Sequence, residues 1–393
     1  MLIVVRDGAE LSPKARFVLQ LIKLTSNPQI LYLVKKSNEK LEEKSESTRI
    51  ELAASTSGVF ANCLLMLLKS PGDLRDGLLR RLFKRQKGHV LVNEGFLSVL
   101  SEALQYCFAN LARTNEIMPF LTRLKPPRIF LIDEFISINT IDLKLLKRMG
   151  PIIYVSPDHA ADRFGFADNL VAKKLMYKLE SDAVPLTDIV ITCSERDRLK
   201  YVEMGAKKAV SYPNIYPVLE FEPGKKDETP SISIVLQGYW GPRGESSLGE
   251  IFGALSRVNK KVRVYMIGVK PKQVPKNVEL LHYKHLPSKL DYLNSLSKSW
   301  IGINIGIHLG GTNERKYDYA MANLVVFSDN FGARGDLLPH EYAYVDGNDL
   351  AAKLNQLLEF GKDAITEMGK QNREQALSLA EKQREKLLTA LKF

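Results

Sequence analysis

The stretch of residues 300–336, WIGINIGIHLGGTNERKYDYAMANLVVFSDNFGARGD, constrains the fold more than any other part of the sequence. Isoleucine recurs at every second position from Ile301 to Ile307, which is typical of a buried strand. Gly310 and Gly311 then predict a tight turn, because a backbone that reverses or admits a ligand closely tolerates no side chain there. A helix and a second apolar strand follow. This order predicts an α/β fold in which helices cover a mostly parallel sheet.

The turn and the start of the helix carry groups that bind anions. Thr312 or Asn313 can cap the helix, whose first N–H groups have no partner within it. Arg315 and Lys316 lie in the first turn, where each cation opposes the helix dipole at a cost of roughly 0.3–1 kcal/mol. A bound phosphate would remove this conflict, although Lys316 could also reach only solvent. Asp318 lies one turn further on, where it could accept hydrogen bonds from sugar or ribose hydroxyls, and the alternative is an ordinary Arg315–Asp318 ion pair.

The sequence RKYDYAMANLVVFSD, which starts at Arg315, resembles a donor-site signature. This signature, K-x-x-E-Y-x-A-x-G-x-P-V-V-x-S-D, belongs to GT-B glycosyltransferases of the glycogen synthase and sucrose synthase type, glycosyltransferase family 4. The resemblance implies that Arg315 is the basic residue of the donor site and that Asp318 is the ribose-binding acid. Tyr319 then begins the helix core that adjoins the donor.

The chain departs from the signature at several positions. Its acid is aspartate rather than glutamate, and Asn323 replaces the usual glycine. The proline before Val325 is missing, and the family's other glutamate, eight residues before Asp318, falls on Gly310.

Three other segments carry the same resemblance. Residues 187–195, TDIVITCSE, together with Gly205 and the YPN of residues 212–214, resemble the end of the family's acceptor domain. The loop GYWGPRG, which starts at Gly238, resembles a shortened G-R-L-x-x-x-K-G loop, so Arg243 matches the diphosphate-binding lysine. His285 lies in YKHLP, where the family holds the nucleotide base, and its alternative is an imidazole without a role.

The resemblance implies a GT-B architecture, in which two Rossmann-like domains face a cleft. We expect an N-terminal acceptor-binding domain at 1–217, a C-terminal nucleotide-sugar-binding domain at 218–375, and a last helix at 376–393 that packs back on the first domain. A segment rich in proline, glycine and charge at 216–230 marks the boundary. The alternating pattern predicts strands at 2–5, 29–34, 49–53, 89–92, 128–133, 151–155, 232–236, 262–267 and 278–281, and helices at 14–24, 59–68, 97–111, 141–149, 349–360 and 374–391.

Composition indicates a globular protein that stays in the cytoplasm. Hydrophobic residues make up 45% of the chain and charged residues 26%. Cys63, Cys107 and Cys193 lie far apart without metal-ligand spacing, so we interpret them as reduced core residues. The start MLIVVRDG lacks the long apolar run of a secretory signal.

The net charge of +11 suggests a nucleic acid or a membrane surface as a partner. The densest basic segment, LLRRLFKRQK, begins with Leu78 and ends with Lys87. It can lie on an anionic membrane at the inner face, or it can be an ordinary solvated helix. Because basic and aromatic residues do not interleave on the predicted strands, we expect no nucleic-acid partner.

The chemistry implied is sugar transfer from a nucleotide-sugar co-substrate to a glycan or a lipid-linked glycan. Arg243, Arg315 and helix N–H groups would stabilise the leaving diphosphate. The sequence has no D-x-D pair at a strand end, so we expect no metal and no cofactor beyond the co-substrate, and the resemblance implies retention of configuration. Asp158 and His159 follow a strand and are the candidate catalytic residues, where His159 could instead be a structural histidine.

Two other functions stay open at this point. One is a nucleotide-sugar epimerase of the same fold, which would be expected to show more acidic residues and histidines near the site. The other is a non-catalytic GT-B binding protein, because the acid expected at Gly310 is missing.

Overall fold

The computed structural model describes residues 2–6, 13–26, 30–35, 47–52, 129–133, 143–156, 159, 161, 170–213, 215, 221–236, 241–305, 314–329 and 338–391. The chain divides into two compact units. Unit 1 comprises Met1–Ser211 and Ala390–Phe393, and unit 2 comprises Tyr212–Thr389. The roles predicted for the two domains, acceptor binding and donor binding, stay predictions.

Unit 1 is a parallel sheet with helices between its strands. Its strands are β1 (Leu2–Arg6), β2 (Ile30–Lys35), β3 (Ser47–Leu52), β4 (Ile129–Asp133), β5 (Ile152–Val155), β6 (Ile189–Thr192) and β7 (Ala209–Ser211). They lie in the order β3-β2-β1-β4-β5-β6-β7, and all their pairings are parallel. The helices described are α1 (Pro13–Ser26), α2 (Leu143–Met149), α3 (Leu170–Ala183) and α4 (Glu195–Glu203).

Unit 2 repeats this plan. Its strands are β8 (Ser231–Leu236), β9 (Val262–Gly268), β10 (Val278–Tyr283), β11 (Ile301–Asn304), β12 (Val325–Asp329) and β13 (Glu341–Tyr344). Its helices are α5 (Gly241–Leu255), α6 (Lys289–Ser297), α7 (Glu314–Met321), α8 (Gly347–Glu359) and α9 (Gly361–Ala390). The parallel strands lie in the order β10-β9-β8-β11-β12-β13, which is the strand order of a Rossmann fold.

The core of unit 2 has two layers, one on each face of the sheet. Ile301, Ile303 and Ile305 pack in a cluster with residues of α5 and α8. Val235 and Val326 belong to a second cluster with residues of α6 and α7. The alternation of isoleucine with small or polar residues in β11 therefore reflects two buried faces, as the sequence pattern predicts.

The C-terminal helix differs from the prediction. It is continuous over Gly361–Ala390, whereas the sequence pattern predicts a helix only from residue 374. Gly361 has a φ of 80°, in the left-handed region that favours glycine, and it follows Phe360, the C-cap of α8. The helical conformation is therefore interrupted at this residue, and the next helix starts at once.

Several predicted segments lie outside the described residues. They are the predicted strand at 89–92, the predicted helices at 59–68 and 97–111, and the basic segment 78–87. Within the described part of the chain, no helix is long and apolar enough to cross a membrane.

Candidate functional site

The strand order of unit 2 fixes where its ligand site is expected. In parallel α/β sheets, ligands bind beyond the carboxyl ends of the strands, where the strand order reverses. In unit 2 this switch point lies between β8 and β11, which end at Leu236 and Asn304. The predicted diphosphate loop directly follows β8, and the predicted glycine turn follows β11. Two segments chosen from sequence alone therefore both continue from the strands that flank the switch point.

Six of the predicted site residues lie outside the described part of the chain. They are Asp158, Gly238, Gly310, Gly311, Thr312 and Asn313. Arg243 is described through its backbone, which lies in the first turn of α5. The predicted roles of these residues in catalysis and donor binding stay predictions.

Tyr319 connects α7 to both strands at the switch point. Its hydroxyl oxygen accepts a hydrogen bond from the Val235 N–H of β8 at 3.0 Å. The same hydroxyl donates to the Ile303 carbonyl of β11 at 3.1 Å. The pairing of β8 with β11 ends at Ile234 and Ile303, so the hydroxyl lies at the end of the ladder. Tyr319 is fully buried, and this structural role lies beside the site where the resemblance places the donor.

A glycine in β11 makes room for this tyrosine. A Cβ atom at Gly302 would lie 2.4 Å from Cγ of Tyr319, far inside van der Waals contact. The ring therefore lies directly against the backbone of β11. Gly302 is thus a packing requirement of α7, and its place between two isoleucines was the signal in the sequence.

Asp318 forms an ion pair that its position in the sequence does not predict. Nζ of Lys289 donates to both carboxylate oxygens of Asp318 at 2.8 Å. Lys289 is the first residue of α6, whose cap is Ser288. The signal in the sequence was the Ser288-x-x-Asp291 capping pattern, which marks the helix start but does not reveal the partner of Lys289.

The segment that precedes α6 includes His285. The side chain of His285 is exposed, between the end of β10 and the start of α6. The Lys289–Asp318 pair therefore joins the end of this predicted base-binding loop to α7. Contact of His285 with a nucleotide base stays a prediction.

Burial and the charge of Arg315 both act on the hydroxyl of Tyr319. Burial raises the pKa of the Tyr319 hydroxyl, and the positive charge of Arg315 acts in the opposite direction. The charge of Arg315 therefore acts on the hydroxyl that joins the two strands. Arg315 is partly buried in the first turn of α7.

Lys316 has neither of the two environments that we expect from its sequence position. Its side chain is wholly buried, and Nζ lies 3.0 Å from Oε2 of Glu341, which is also buried. Glu341 begins β13. A carboxylate of the protein thus offsets this charge, so Lys316 gives no support to a bound phosphate.

Asn323 explains one departure from the family signature. It adopts a φ of 59°, the left-handed conformation that ends α7 before β12 begins. Asparagine tolerates this conformation better than other residues with a side chain. It therefore serves in place of the glycine of the signature.

His159 lies in a buried polar cluster of unit 1. Its Nε2 is 3.6 Å from Oε2 of Glu180, and its ring packs edge-on against Tyr177 and Tyr201. Oε1 of Glu180 accepts hydrogen bonds from the hydroxyls of Tyr154 at 2.8 Å and Tyr201 at 2.7 Å. These contacts fit the alternative of a structural histidine, and contact with a sugar stays a prediction.

A metal site is not evident in the described part of the chain, where no three His, Cys, Asp or Glu residues cluster as metal ligands would. Residues 157–158 and 306–313 lie outside that part.

No family model matches the sequence, and no curated protein matches it. Solved structures do match over nearly the whole chain. A UDP-forming α,α-trehalose-phosphate synthase from Burkholderia xenovorans is 14% identical, with a TM-score of 0.63 over 99% of this chain and 98% of the other. The sucrose-phosphate synthase of Thermosynechococcus elongatus is 12% identical, with a TM-score of 0.59 over 98% and 96%.

A third similar structure is that of a trehalose-6-phosphate protein from E. coli bound with UDP-2-fluoro glucose. It is 13% identical, with a TM-score of 0.61 over 100% of this chain and 99% of the other. At these identities the similarity establishes the fold and leaves the activity open. The two Rossmann-like sheets and the solved structures that match them together show that this chain has the GT-B fold.

Proposed function

We propose that this protein is a glycosyltransferase that moves a sugar from a nucleotide-sugar donor to an acceptor. The observation that carries the proposal is the switch point of unit 2. Both predicted phosphate-binding loops follow the two strands that flank it, and Tyr319 of α7 holds these strands together. The proposal also draws on the fold, since proteins of this fold include the trehalose-phosphate and sucrose-phosphate synthases named above.

The proposed chemistry needs positive potential where the leaving diphosphate develops charge. The N-termini of α5 and α7 both follow the switch-point strands, and the first N–H groups of a helix have no carbonyl partner within the helix. Arg315 and Arg243 lie in the first turns of these helices. Since Lys316 is neutralised by Glu341, these two arginines are the cations assigned to the diphosphate.

The finer parts of the proposal follow from the sequence resemblance. The resemblance to family 4 supports transfer with retention of configuration and without a metal ion. The basic segment 78–87 supports an acceptor near an anionic membrane at the inner face, such as a lipid-linked glycan. In this proposal Asp318 takes the ribose hydroxyls and His285 lies beside the base.

A second candidate is a GT-B protein that binds nucleotide sugars without transferring them. One similar structure is the N-terminal domain of a trehalose-6-phosphate phosphatase from Candida albicans, 12% identical with a TM-score of 0.57. A fold shared with a protein named for another activity does not by itself establish transfer. The absence of an acid at Gly310 is the feature of this chain that favours this candidate.

Two measurements test the proposal. The first is the shift in melting temperature with UDP, GDP and ADP and with their hexose derivatives, since a ligand that binds only the folded state raises that temperature. The second is transfer of radiolabel from the bound sugar nucleotide to a lipid extract. Binding with transfer supports the leading proposal, and binding with neither transfer nor epimerisation supports the second candidate. If no nucleotide sugar binds, the proposed function is wrong.

Arg315→Ala tests the phosphate site directly. Because charge-assisted hydrogen bonds contribute roughly 1.5–3 kcal/mol, we expect the variant to bind the nucleoside diphosphate about ten to a hundred times more weakly. Arg257→Ala, at an arginine after the end of α5, is the control and should leave affinity unchanged. An unchanged affinity in Arg315→Ala would show that the diphosphate does not bind at the N-terminus of α7.

A further inference from the structure

The last residue of β11 is a buried asparagine that the mechanism above does not use. Asn304 is fully buried and pairs in register with Ser328 of β12. Since side chains alternate along a strand, Asn304 points to the same face of the sheet as Gly302, against which Tyr319 of α7 packs. Its side chain therefore lies on the α7 side of the sheet, at the carboxyl end of a strand that flanks the switch point.

A chain of hydrogen bonds fixes the orientation of the amide group of Asn304. Glu341 is paired with the ammonium group of Lys316, so its carboxylate acts as an acceptor. The Ser328 hydroxyl must then donate to Oε1 of Glu341, at 2.8 Å. Because the Ser328 oxygen has given its only proton to Glu341, it accepts from the Asn304 side chain, from Nδ2 at 3.3 Å.

This arrangement leaves the amide oxygen of Asn304 facing away from Ser328. Among the residues that the structure describes, no donor lies within hydrogen-bonding distance of this buried Oδ1 atom. A buried carbonyl oxygen without a donor destabilises a fold by roughly 1–3 kcal/mol, so such groups in native proteins call for an explanation. The amide cannot turn over to solve the problem, because its oxygen would then face the Ser328 oxygen, whose proton is already engaged with Glu341.

We propose that Oδ1 of Asn304 accepts a hydrogen bond from a hydroxyl group of the bound ligand. An acceptor oxygen repels phosphate oxygens and attracts O–H donors, so its partner is a hydroxyl rather than the diphosphate. Because the proposed function assigns the ribose hydroxyls to Asp318, the hydroxyl left for Asn304 belongs to the transferred sugar. Asn304 is then a residue that determines donor specificity. The inference rests on the proposed function, because it assigns a sugar to the same edge of unit 2.

The test compares a nucleotide sugar with its nucleotide. Titration calorimetry gives the affinities of the full-length protein for UDP-glucose and for UDP, or for the GDP or ADP counterparts if the melting-temperature panel selects those. In Asn304→Ala we expect the affinity for the nucleotide sugar to fall about tenfold relative to the affinity for the nucleotide, as the loss of one hydrogen bond implies. In Ser328→Ala, which keeps Oδ1 but frees the amide to turn, we expect a smaller loss of the same kind.

Asn277→Ala is the matched control. The Nδ2 of Asn277 donates to the carbonyls of Leu255 and Val258, before β10 and on the other side of β9 from the switch point. This control also loses an asparagine with hydrogen bonds inside unit 2, but the ratio of the two affinities should stay as in the wild type. Urea unfolding of each variant shows that the measured protein is folded.

The outcomes separate the two proposals. If the wild type binds no nucleotide sugar, the proposed function and this inference both fail. If the wild type binds and the ratio of affinities in Asn304→Ala equals that of the wild type, Asn304 does not contact the transferred sugar and the inference alone fails. If Asn277→Ala changes the ratio as much as Asn304→Ala does, the effect is not specific to Asn304, which also overturns the inference.

Discussion

At the scale of single residues, the clearest constraint is the contact between Gly302 and Tyr319. An alanine at position 302 would place its Cβ 2.4 Å from the tyrosine ring, so either the ring or the backbone of β11 must shift. We expect Gly302→Ala to destabilise the protein by about 1–3 kcal/mol, the usual cost of overpacking a core. Urea unfolding of wild type and variant measures this change.

The matched control for Gly302→Ala is Gly253→Ala in α5. A Cβ at Gly253 would meet no atom within 4 Å. Because alanine favours the helix interior by about 0.5–1 kcal/mol over glycine, the control should stabilise the protein. Equal effects of the two substitutions would contradict the packing described here.

A second residue, Lys226, makes stability depend on pH. Its side chain is buried, and Nζ donates to the carbonyl of Ala322, just after the end of α7, at 2.9 Å. Burial lowers the pKa of Lys226 to about 7. The lysine of the unfolded chain keeps its proton to about pH 10, so the unfolded state binds more protons between these values. Stability contributed through Lys226 therefore rises with pH from about 7 to about 10 and is lower below that range.

Lys226→Met tests this dependence. We expect the unfolding free energy of the variant not to rise between pH 7 and pH 10. The stability of the variant relative to the wild type should therefore be highest near pH 7. The lost hydrogen bond to Ala322 offsets the gain by about 1 kcal/mol at each pH. Urea unfolding at pH 7 and pH 9.5 gives both values. A variant whose difference from the wild type is the same at both pH values would show that Lys226 does not titrate in this way.

At the scale of elements, α9 and the end of α7 depend on close backbone contact. A Cβ at Gly369 of α9 would lie 1.9 Å from the carbonyl oxygen of Asn323. Asn372, one turn further along α9, donates from Nδ2 to the carbonyls of Leu324 at 3.0 Å and His340 at 3.1 Å. Helix α9 therefore holds the turn between α7 and β12 in place.

We expect Gly369→Ala to push α9 away from the turn between α7 and β12. The clash is with backbone atoms that cannot rotate away, so we expect a loss of about 1–3 kcal/mol despite the better helix propensity of alanine. Thermal unfolding measures this loss, with Gly249→Ala as the control, where a Cβ meets no atom within 4 Å. An increase in melting temperature for both variants would contradict the contact.

Elements differ in how well the sequence predicts them. Strand β11, helix α7 and strand β12 follow the pattern of residues 300–336 because the apolar period and the glycine turn agree there. The predicted start of α9 was wrong. The polar residues and glycines after Gly361 do not show that Gly369 lies inside a helix, in close contact with the backbone of Asn323. The environment predicted for Lys316 was also wrong, because the sequence does not show that Glu341 of β13 packs beside it.

At the scale of the whole molecule, the alternating pattern predicts a parallel sheet, and the family resemblance implies two Rossmann-like units. The switch point between β8 and β11 could not be predicted, because it depends on the strand order that the structure shows. Pairings between distant residues, such as Lys289 with Asp318, could not be predicted because they depend on how α6 and α7 pack. These pairings define the site as much as the motifs do.

Metal independence is a prediction for the whole protein. In the proposed mechanism arginine side chains and helix N-termini stabilise the leaving diphosphate, so we expect dialysis against EDTA to leave the transfer rate unchanged. The rate is measured with the sugar nucleotide selected by the melting-temperature panel. Loss of the rate on dialysis, with recovery on adding Mg²⁺ or Mn²⁺, would show that a divalent ion takes part.

The hydroxyl of Tyr319 has a consequence for how unit 2 comes apart. Strands β8 and β11 are distant in sequence and pair in the middle of the sheet. There one side chain of α7 forms hydrogen bonds to both backbones. If α7 dissociates from the sheet, these two hydrogen bonds are lost, although the outer strands stay paired. The sheet of unit 2 would then be weakened at the carboxyl end of this central pairing, beyond Ile234 and Ile303, which is the edge where the ligand is expected.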